Sequence, residues 1–227
     1  MGRPESRWHQ KPDGSAFLSH LTLDRDAVQR LNGTRWLTLW NVRLGPGVTL
    51  AELQLTWLDL RGGTRSNVDD VGECVTLRGL CINQVRGLTD VDPVSRLSGL
   101  EILSLYGLAK LRHLPDLSRL AKLRRLDVGQ MRSLTDWRNL TSPPALEELQ
   151  FQNKLAPSAE VMAAVGSSAH LARFGWYAPD EPRSIVDPII EVVAKAPARW
   201  VRPEEWLESL TTRETDAGSR EVPTGSE

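Results

Sequence analysis

Cysteine is nearly absent from this sequence of 227 residues, which contains only Cys74 and Cys81. Two cysteines do not build the disulfide framework of a small secreted domain. The polar N-terminus, Met1 to Lys11, lacks the apolar core of a secretory signal peptide, and no stretch approaches the roughly 18 apolar residues of a membrane span. These absences predict a cytoplasmic protein that does not enter a membrane.

An excess of charge of either sign is also missing, because the formal net charge is −1 and the isoelectric point is about 6.5. A protein with this charge balance has no electrostatic attraction for nucleic acid or an anionic membrane. The four histidines are scattered, and none lies at metal-ligand spacing from a cysteine or a carboxylate. No phosphate-binding loop, nucleophile elbow or zinc-protease motif occurs. The sequence therefore predicts no catalytic residue, metal or cofactor.

Leucine, by contrast, is abundant and recurs in the frame L-x-x-L-x-L. The copies Leu100-Leu103-Leu105 and Leu123-Leu126-Val128 show it most clearly. A fixed period in this range is typical of a solenoid, in which each unit buries its apolar face against its neighbours. The first frame residues are Leu37, Leu58, Leu80, Leu103, Leu126, Leu149 and Phe174, at spacings of 21, 22, 23, 23, 23 and 25 residues.

Two segments after the frame are more specific, namely Val85-Arg86-Gly87-Leu88-Thr89-Asp90 and Met131-Arg132-Ser133-Leu134-Thr135-Asp136. Here the sequence resembles the leucine-rich repeat family over about residues 34 to 180, and the segments are similar to the C-x-x-I-T-D of its cysteine-containing class. The resemblance implies an α/β fold, a horseshoe with about seven short parallel strands on its concave face and a cap at each end. The asparagine that many such repeats carry after the frame is absent, so the turn backbone needs other hydrogen-bond partners.

The N-terminal segments and the repeats divide as follows. Residues 1–15 are rich in Gly, Pro and charge and predict a flexible arm. Residues 16–33 predict an N-terminal cap with a short helix from Arg25 to Leu31. The repeats cover 34–183, and one convex helix is expected after Pro157-Ser158, where serine is a good N-cap.

The C-terminal segments predict a cap and a tail. Residues 184–210 carry two helix starts, Asp187-Pro188 and Pro203-Glu204-Glu205, each followed by apolar residues. Both helices are expected to cover the last repeat. Residues 211–227 are dominated by Gly, Ser, Thr and charge and predict a disordered tail.

Alternation along each strand predicts which side chains leave the core. In L-x-L the two apolar side chains share one face, and the residues between and beside them take the concave face. Aromatic residues and arginine often anchor interfaces, so we predict a non-enzymatic, monomeric recognition module that binds another protein. An alternative for Trp36 and Trp57 is packing beneath the N-terminal cap. The predicted contact residues are Trp40, Trp57, Asp59, Arg61, Tyr106, Arg125, Asp127 and Gln150.

Two narrower functions stay open. One is an immunity-type inhibitor of a toxin or effector, which suits a compact chain of repeats and caps; the arginine-heavy composition points to a GC-rich bacterial gene. The other is a repeat-containing enzyme resembling a ubiquitin ligase, which requires a catalytic cysteine beyond the repeats. No cysteine follows Cys81, so this second alternative is the weaker one.

Overall fold

A computed structural model describes residues 7–218. One ten-stranded sheet has the order β1-β2-β4-β6-β7-β8-β9-β10-β11-β12, and β3 pairs with β5. The strands are β1 (Arg7–Gln10), β2 (Ser15–Ser19), β3 (Thr22–Leu23), β4 (Trp36–Trp40), β5 (Arg43–Leu44), β6 (Trp57–Arg61), β7 (Gly79–Asn83), β8 (Ile102–Tyr106), β9 (Arg125–Gly129), β10 (Glu148–Gln152), β11 (Arg173–Tyr177) and β12 (Ala196–Pro197). The helices are α1 (Arg25–Arg30), α2 (Ala159–Ser167), α3 (Arg183–Val193) and α4 (Pro203–Gly218), with a 3₁₀ turn at Asp92–Arg96.

The seven strands expected from the leucine frame are β4 and β6 to β11. Neighbouring strands pair in parallel with equivalent residues aligned, so that Leu103 lies between Leu80 and Leu126. The frame residues are buried in one continuous core on one side of the sheet. The predicted leucine-rich repeat solenoid is confirmed, and β1, β2 and β12 extend its sheet beyond the seven predicted strands.

The return segments are turns more often than helices. Helix α2 is the longest helix between two of the seven repeat strands, and it begins at the predicted N-cap, where the Ser158 hydroxyl accepts from the Val161 N–H at 3.4 Å. Met162 and Val165 face the core from this helix. The serine satisfies one of the N–H groups that a helix start leaves open.

A residue with positive φ follows β2, β4 and each strand from β6 to β10. Its N–H donates to the carbonyl of the last residue in the next strand, at N–O distances of 2.7 to 3.1 Å. This backbone ladder gives hydrogen-bond partners to N–H and carbonyl groups at the turns, where the expected asparagine side chains are absent. The seven residues are His20, Asn41, Gly62, Gln84, Gly107, Gln130 and Asn153.

The predicted flexible arm is wrong for residues 7–15. Strand β1 pairs antiparallel with β2 after a turn at Pro12-Asp13-Gly14. Trp8 packs against the core, and the guanidinium of Arg30 lies 4.6 Å from the centre of its ring. Strand hydrogen bonds and one large aromatic side chain therefore fix this segment. Residues 1–6 of the predicted arm lie outside the described residues.

The N-terminal cap includes a shortened repeat. Strand β2 pairs in parallel with β4, and Ala16 and Leu18 enter the core beside Leu37 and Leu39. Helix α1 has the predicted start, with the Asp24 carboxylate accepting from the Ala27 N–H at 2.7 Å. The cap therefore completes the sheet rather than only covering its edge.

Helix α3 starts at Arg183, one turn before the predicted Asp187-Pro188 start, so Pro188 lies inside it. A proline there removes one N–H and crowds the carbonyl four residues earlier. That residue, Ser184, is exposed, and water can therefore reach its carbonyl. Val186 and Val193 are buried, and α3 packs against α2.

Helix α4 starts at Pro203 as predicted, but it crosses the sheet to contact β7 and β8 instead of covering the last repeat. It also continues to Gly218, so residues 211–218 are helical where the sequence predicted disorder. A helix that has already formed its first turn adds one hydrogen bond per residue, and no proline lies between 204 and 218. Residues 219–227 of the predicted tail lie outside the described residues.

Candidate protein-binding face

Each repeat strand places its first, third and fifth side chains on the concave face. The fifth residues form a line that we call the open row: Trp40, Arg61, Asn83, Tyr106, Gly129, Gln152 and Tyr177. The first and third residues of β4 and β6 to β10 form a surface that we call the floor: Trp36, Thr38, Trp57, Asp59, Gly79, Cys81, Ile102, Ser104, Arg125, Asp127, Glu148 and Gln150.

Helix α4 covers the apolar part of the floor. Leu207 and Leu210 are buried in a cluster with Trp57, Cys81 and Ile102, separate from the repeat core. Trp36 and Trp206 pack at its margin. Burying these side chains removes apolar surface from water and holds the helix on the sheet.

Gly79 provides the space for this contact. A Cβ atom at this position would lie 2.3 Å from Cε3 of Trp57 and 2.9 Å from Cδ2 of Leu207. Trp36 stacks on Trp57 with ring centres 5.3 Å apart. The absence of a side chain at Gly79 therefore lets the Trp57 ring lie flat beneath the helix.

Arg125 organises the charged part of the floor and is fully buried. Its Nε and Nη2 donate to the two carboxylate oxygens of Asp127 at 2.7 and 3.0 Å, and Nη2 also donates to the Val201 carbonyl at 2.8 Å. Nη1 lies 3.4 Å from Glu148 Oε1, and the Trp206 ring centre lies 5.8 Å from the guanidinium carbon. One arginine thus links two floor carboxylates to the C-terminal segment.

Burial changes the acidity of three floor carboxyls. Loss of water raises the pKa of Asp59, Asp127 and Glu148 above the ordinary value, although neighbouring arginines lower it in part. Arg125 is that arginine for Asp127 and Glu148, and Arg61 for Asp59. A buried carboxylate costs free energy unless it is paired and hydrogen-bonded.

Four floor atoms are buried without a hydrogen bond within residues 7–218: Oδ1 of Asp59, Nη1 of Arg125, Oε1 of Glu148 and Nε2 of Gln150. Nη1 of Arg125 and Oε1 of Glu148 at least face each other as an ion pair at 3.4 Å. The other carboxylate oxygen of Asp59 accepts from Arg61 Nε at 2.6 Å. Unsatisfied buried polar groups are rare in folded proteins, so the floor is covered without all of its polar atoms being paired.

A recess of about 230 Å³ opens between α4 and the N-terminal strands. His9, Lys11 and Arg61 line its sheet side, and Glu204 and Glu208 line its helix side. The two glutamates are four residues apart and therefore share one flank of the helix. Positive and negative side chains thus face each other across the recess.

The open row remains accessible at both ends. Trp40 and Tyr177 are each 47% exposed, and the Arg61 side chain is 45% exposed. Trp40 has the rings of Phe17 and His20 beside it, and Tyr177 packs on Trp200 with ring centres 5.1 Å apart. Large aromatic side chains in water, held by a backbone ladder, are the kind of surface that proteins use for recognition.

The predicted contact residues divide between the two surfaces. Trp40, Arg61 and Tyr106 lie in the open row, where Tyr106 is half-buried and its hydroxyl accepts from the Asn153 side-chain amide. The other five are on the floor and buried: Trp57, Asp59, Arg125, Asp127 and Gln150. The alternative for Trp57, packing beneath the N-terminal cap, is wrong in its location, because Trp57 is buried with Leu207 and Leu210 of α4.

Sequence reasoning missed the C-terminal contributions. The sequence predicts that the helix carrying Trp206, Leu207 and Leu210 covers the last repeat. No local pattern around these residues indicates that they pack on β6 to β8 instead. Tyr177 could have been predicted as a contact residue, because it is aromatic and the alternation along the strand places its side chain outward. Trp200 joins it only because β12 returns the chain beside β11.

Neither cysteine has the environment of a nucleophile. Burial raises the pKa of Cys74 to about 12, and it raises that of Cys81 well above the ordinary value. Both thiols are therefore protonated at neutral pH. Within residues 7–218, His, Cys, Asp and Glu side chains form no group able to hold a metal ion.

Helices long and apolar enough to cross a membrane are also missing from that described range.

The comparisons with known proteins address the fold. No protein-family model matches the chain, and no curated protein matches its sequence. Among solved structures, internalin C2 from Listeria monocytogenes matches with a TM-score of 0.50 and 20% sequence identity over 80% of each chain. At this identity the likeness concerns the fold alone. It agrees with the strand ladder in making the chain a leucine-rich repeat solenoid.

Proposed function

We propose that this chain is a recognition module that binds another protein through the concave face, with first contact along the open row. The observation that carries the proposal is the pair of exposed aromatic residues, Trp40 and Tyr177, at opposite ends of one row. Six strand spacings of about 4.8 Å separate them, or about 29 Å. A patch of about 800 Å², usual for one side of a stable interface, has about this diameter.

The charges of the row set the orientation of the partner in this proposal. Arg61 is anchored at one side by Asp59, with Nη2 2.5 Å from the carboxylate, yet nearly half of its side chain remains in water. Such a preorganised guanidinium loses little rotational freedom on binding an acidic group. Charged rim groups act mainly on association rate and specificity.

The proposal includes a cytoplasmic, monomeric protein that binds neither nucleic acid nor membrane. The buried, protonated cysteines count against the ubiquitin-ligase alternative, because thioester chemistry needs an accessible thiolate. If the captured partner is a toxin or effector, the module is an immunity-type inhibitor. That function is a special case of the same binding surface.

The test is capture of partners from the native host with the full chain as bait. We expect Trp40→Ala combined with Tyr177→Ala to weaken the captured complex by about 2 kcal/mol or more. Val75→Ala removes an exposed apolar side chain outside the concave face and is the control. Undiminished capture by the double variant, with unchanged melting, would refute the open row as the binding surface.

A further inference from the structure

Helix α4 covers the floor without joining the repeat core. The sheet separates its apolar cluster from the leucines of the solenoid. Among its described side chains only Leu207 and Leu210 are buried. The attachment is thus a contact of one helix face with a surface that the repeats have already built.

The connection to α4 is short and lies mostly in water. Between β12 and α4, Arg199, Trp200 and Arg202 are exposed. Two hydrogen bonds tie this connection to the solenoid, one from the Ala198 N–H to the Phe174 carbonyl and one from Arg125 to the Val201 carbonyl. Besides these bonds, α4 is held by the apolar cluster of Leu207 and Leu210 and by Trp206, which lies near Arg125 and hydrogen-bonds Glu148. These contacts are all made with the floor and not with the repeat core.

The floor beneath α4 also keeps hydrogen-bonding capacity unused. Oδ1 of Asp59, in the recess beside Glu204 and Glu208 of α4, is buried without a hydrogen-bond partner within the described part of the chain. Another occupant that donates to this oxygen would gain a hydrogen bond that α4 leaves unmade. This difference gives a competing ligand a physical advantage.

The seated helix defines what such a ligand must present. Its apolar contacts come from Trp206, Leu207 and Leu210. Its acidic flank, Glu204 and Glu208, faces the basic side of the recess. The matching pattern is E-x-W-L-E-x-L on one helical turn and a half, an amphipathic helix laid into an apolar groove.

We propose that the floor is a binding site for an amphipathic helix of a partner protein with this pattern, and that α4 is the competing ligand carried by the chain itself. The inference deepens the proposed function, since it adds a second contact beside the open row. A partner bound there would have to displace α4, and the chain's own helix would lower its apparent affinity by the fraction of molecules in which the floor is free.

The first test uses hydrogen–deuterium exchange on the full wild-type chain. If α4 leaves the floor while the solenoid stays folded, its amides at 204–210 should exchange at least 100-fold faster than those of strands β6 to β9. Equal protection of α4 and these strands would overturn the proposal, because the helix would then open only with the whole protein.

The second test supplies the helix in trans. The probe is a fluorescent peptide with the sequence of residues 203–218, added to full-length chains. Leu207→Glu should unseat the chain's own helix and bind the peptide at least tenfold more tightly than wild type does. Thr212→Glu adds the same charge at an exposed position of α4 and should behave like wild type.

The specificity of the peptide provides its own control. Replacing both Trp206 and Leu207 of the peptide by alanine should weaken binding at least tenfold. If Leu207→Glu stays folded but binds no better than wild type, or if it unfolds the solenoid, the proposal is overturned. Dimers with exchanged α4 in light scattering would overturn it in favour of a second copy as the occupant. None of these outcomes affects the open-row test, which uses a captured partner and leaves α4 in place.

Discussion

In strand β9, Leu126 and Val128 enter the repeat core, Arg125 and Asp127 enter the floor, and all four are buried. The first two are covered by equivalent strand residues one repeat away in sequence. The floor pair is covered by a segment 76 residues further along, as the bond from Arg125 to the Val201 carbonyl shows. Burial on one face of the strand is thus a local, periodic property, and burial on the other depends on one distant C-terminal segment.

The two faces also differ in how much free energy of unfolding a substitution can remove. A core leucine has neighbours in both adjacent repeats, so a cavity there persists as long as the solenoid is folded. A floor residue loses its cover when α4 leaves. Energetic damage on the floor is therefore limited by the free energy that holds α4 in place.

The largest effect is expected in the core. Leu126→Ala should lower the free energy of unfolding by about 2–5 kcal/mol, through lost burial and the cavity left behind. Lys122→Ala changes an exposed residue of the same repeat and should have little effect. Urea unfolding measures both. A Leu126→Ala midpoint equal to wild type would contradict the assignment of the repeat core.

The next largest effect on the free energy of unfolding is expected at Arg125, the buried arginine of the floor. Removing one partner of a permanently buried ion pair costs about 3–5 kcal/mol. If α4 leaves the floor as we propose, water reaches Asp127, and we therefore expect Arg125→Ala to cost less, about 1–3 kcal/mol, with α4 losing amide protection first. Arg124→Ala is the adjacent control, since its ion pair with Glu147 is solvent-exposed and contributes about 0–1 kcal/mol. Similar losses for the two variants would remove the distinction between the faces.

The sequence was sufficient for everything that repeats. The spacing of the leucines predicts all seven repeat strands, because a one-residue shift would turn each apolar pair out of the core. Ser158 predicts the start of α2, since an N-cap is a local interaction. The turn at Pro12-Asp13-Gly14 was equally readable, and weighing it would have revealed the β1–β2 hairpin.

The same reasoning failed where distant segments meet. Pro203-Glu204-Glu205 predicts where a helix starts but not which surface that helix packs against. The seat of Leu207 depends on Gly79 leaving room beside Trp57. The contact forms only when β6, β7 and α4, which are separate in the sequence, have packed together. Single-sequence periodicity carries no information about such an encounter, so five of the eight predicted contact residues are buried where exposure was predicted.

A smaller effect is expected from pH, through the floor carboxyl Asp59. Burial raises its pKa above the ordinary 3.8, so the folded chain binds more protons than the unfolded chain in the window above 3.8. The free energy of unfolding contributed by this group therefore falls as pH rises through that window. Asp59→Asn removes this titration. The free energy of unfolding, measured with urea from pH 4 to 7, should therefore fall less steeply with rising pH in this variant than in wild type.

Asp116→Asn is the matched control for this titration, and its sign is opposite. Hydrogen bonds from Ser118 lower the pKa of this exposed carboxyl. Its contribution is therefore present above the ordinary pKa and is lost as pH falls below it. If the two variants shift the pH profile in the same direction, the carboxyl of Asp59 is not held in the low-dielectric environment that the structure shows.

The smallest effect on stability is expected at the open row, where the effect on binding is proposed to be largest. Trp40→Ala removes a side chain that is nearly half exposed and leaves no cavity in the core, so its unfolding free energy should change by about 0.5 kcal/mol. Trp57→Ala, one strand away on the floor, should lower the amide protection of α4 because the apolar cluster that contains Leu207 loses its largest buried side chain. Urea unfolding and exchange measured on the two variants separate the surfaces. If Trp40→Ala destabilises the chain as much as Trp57→Ala does, Trp40 has a structural role, and its exposure no longer supports a contact site at that end of the open row.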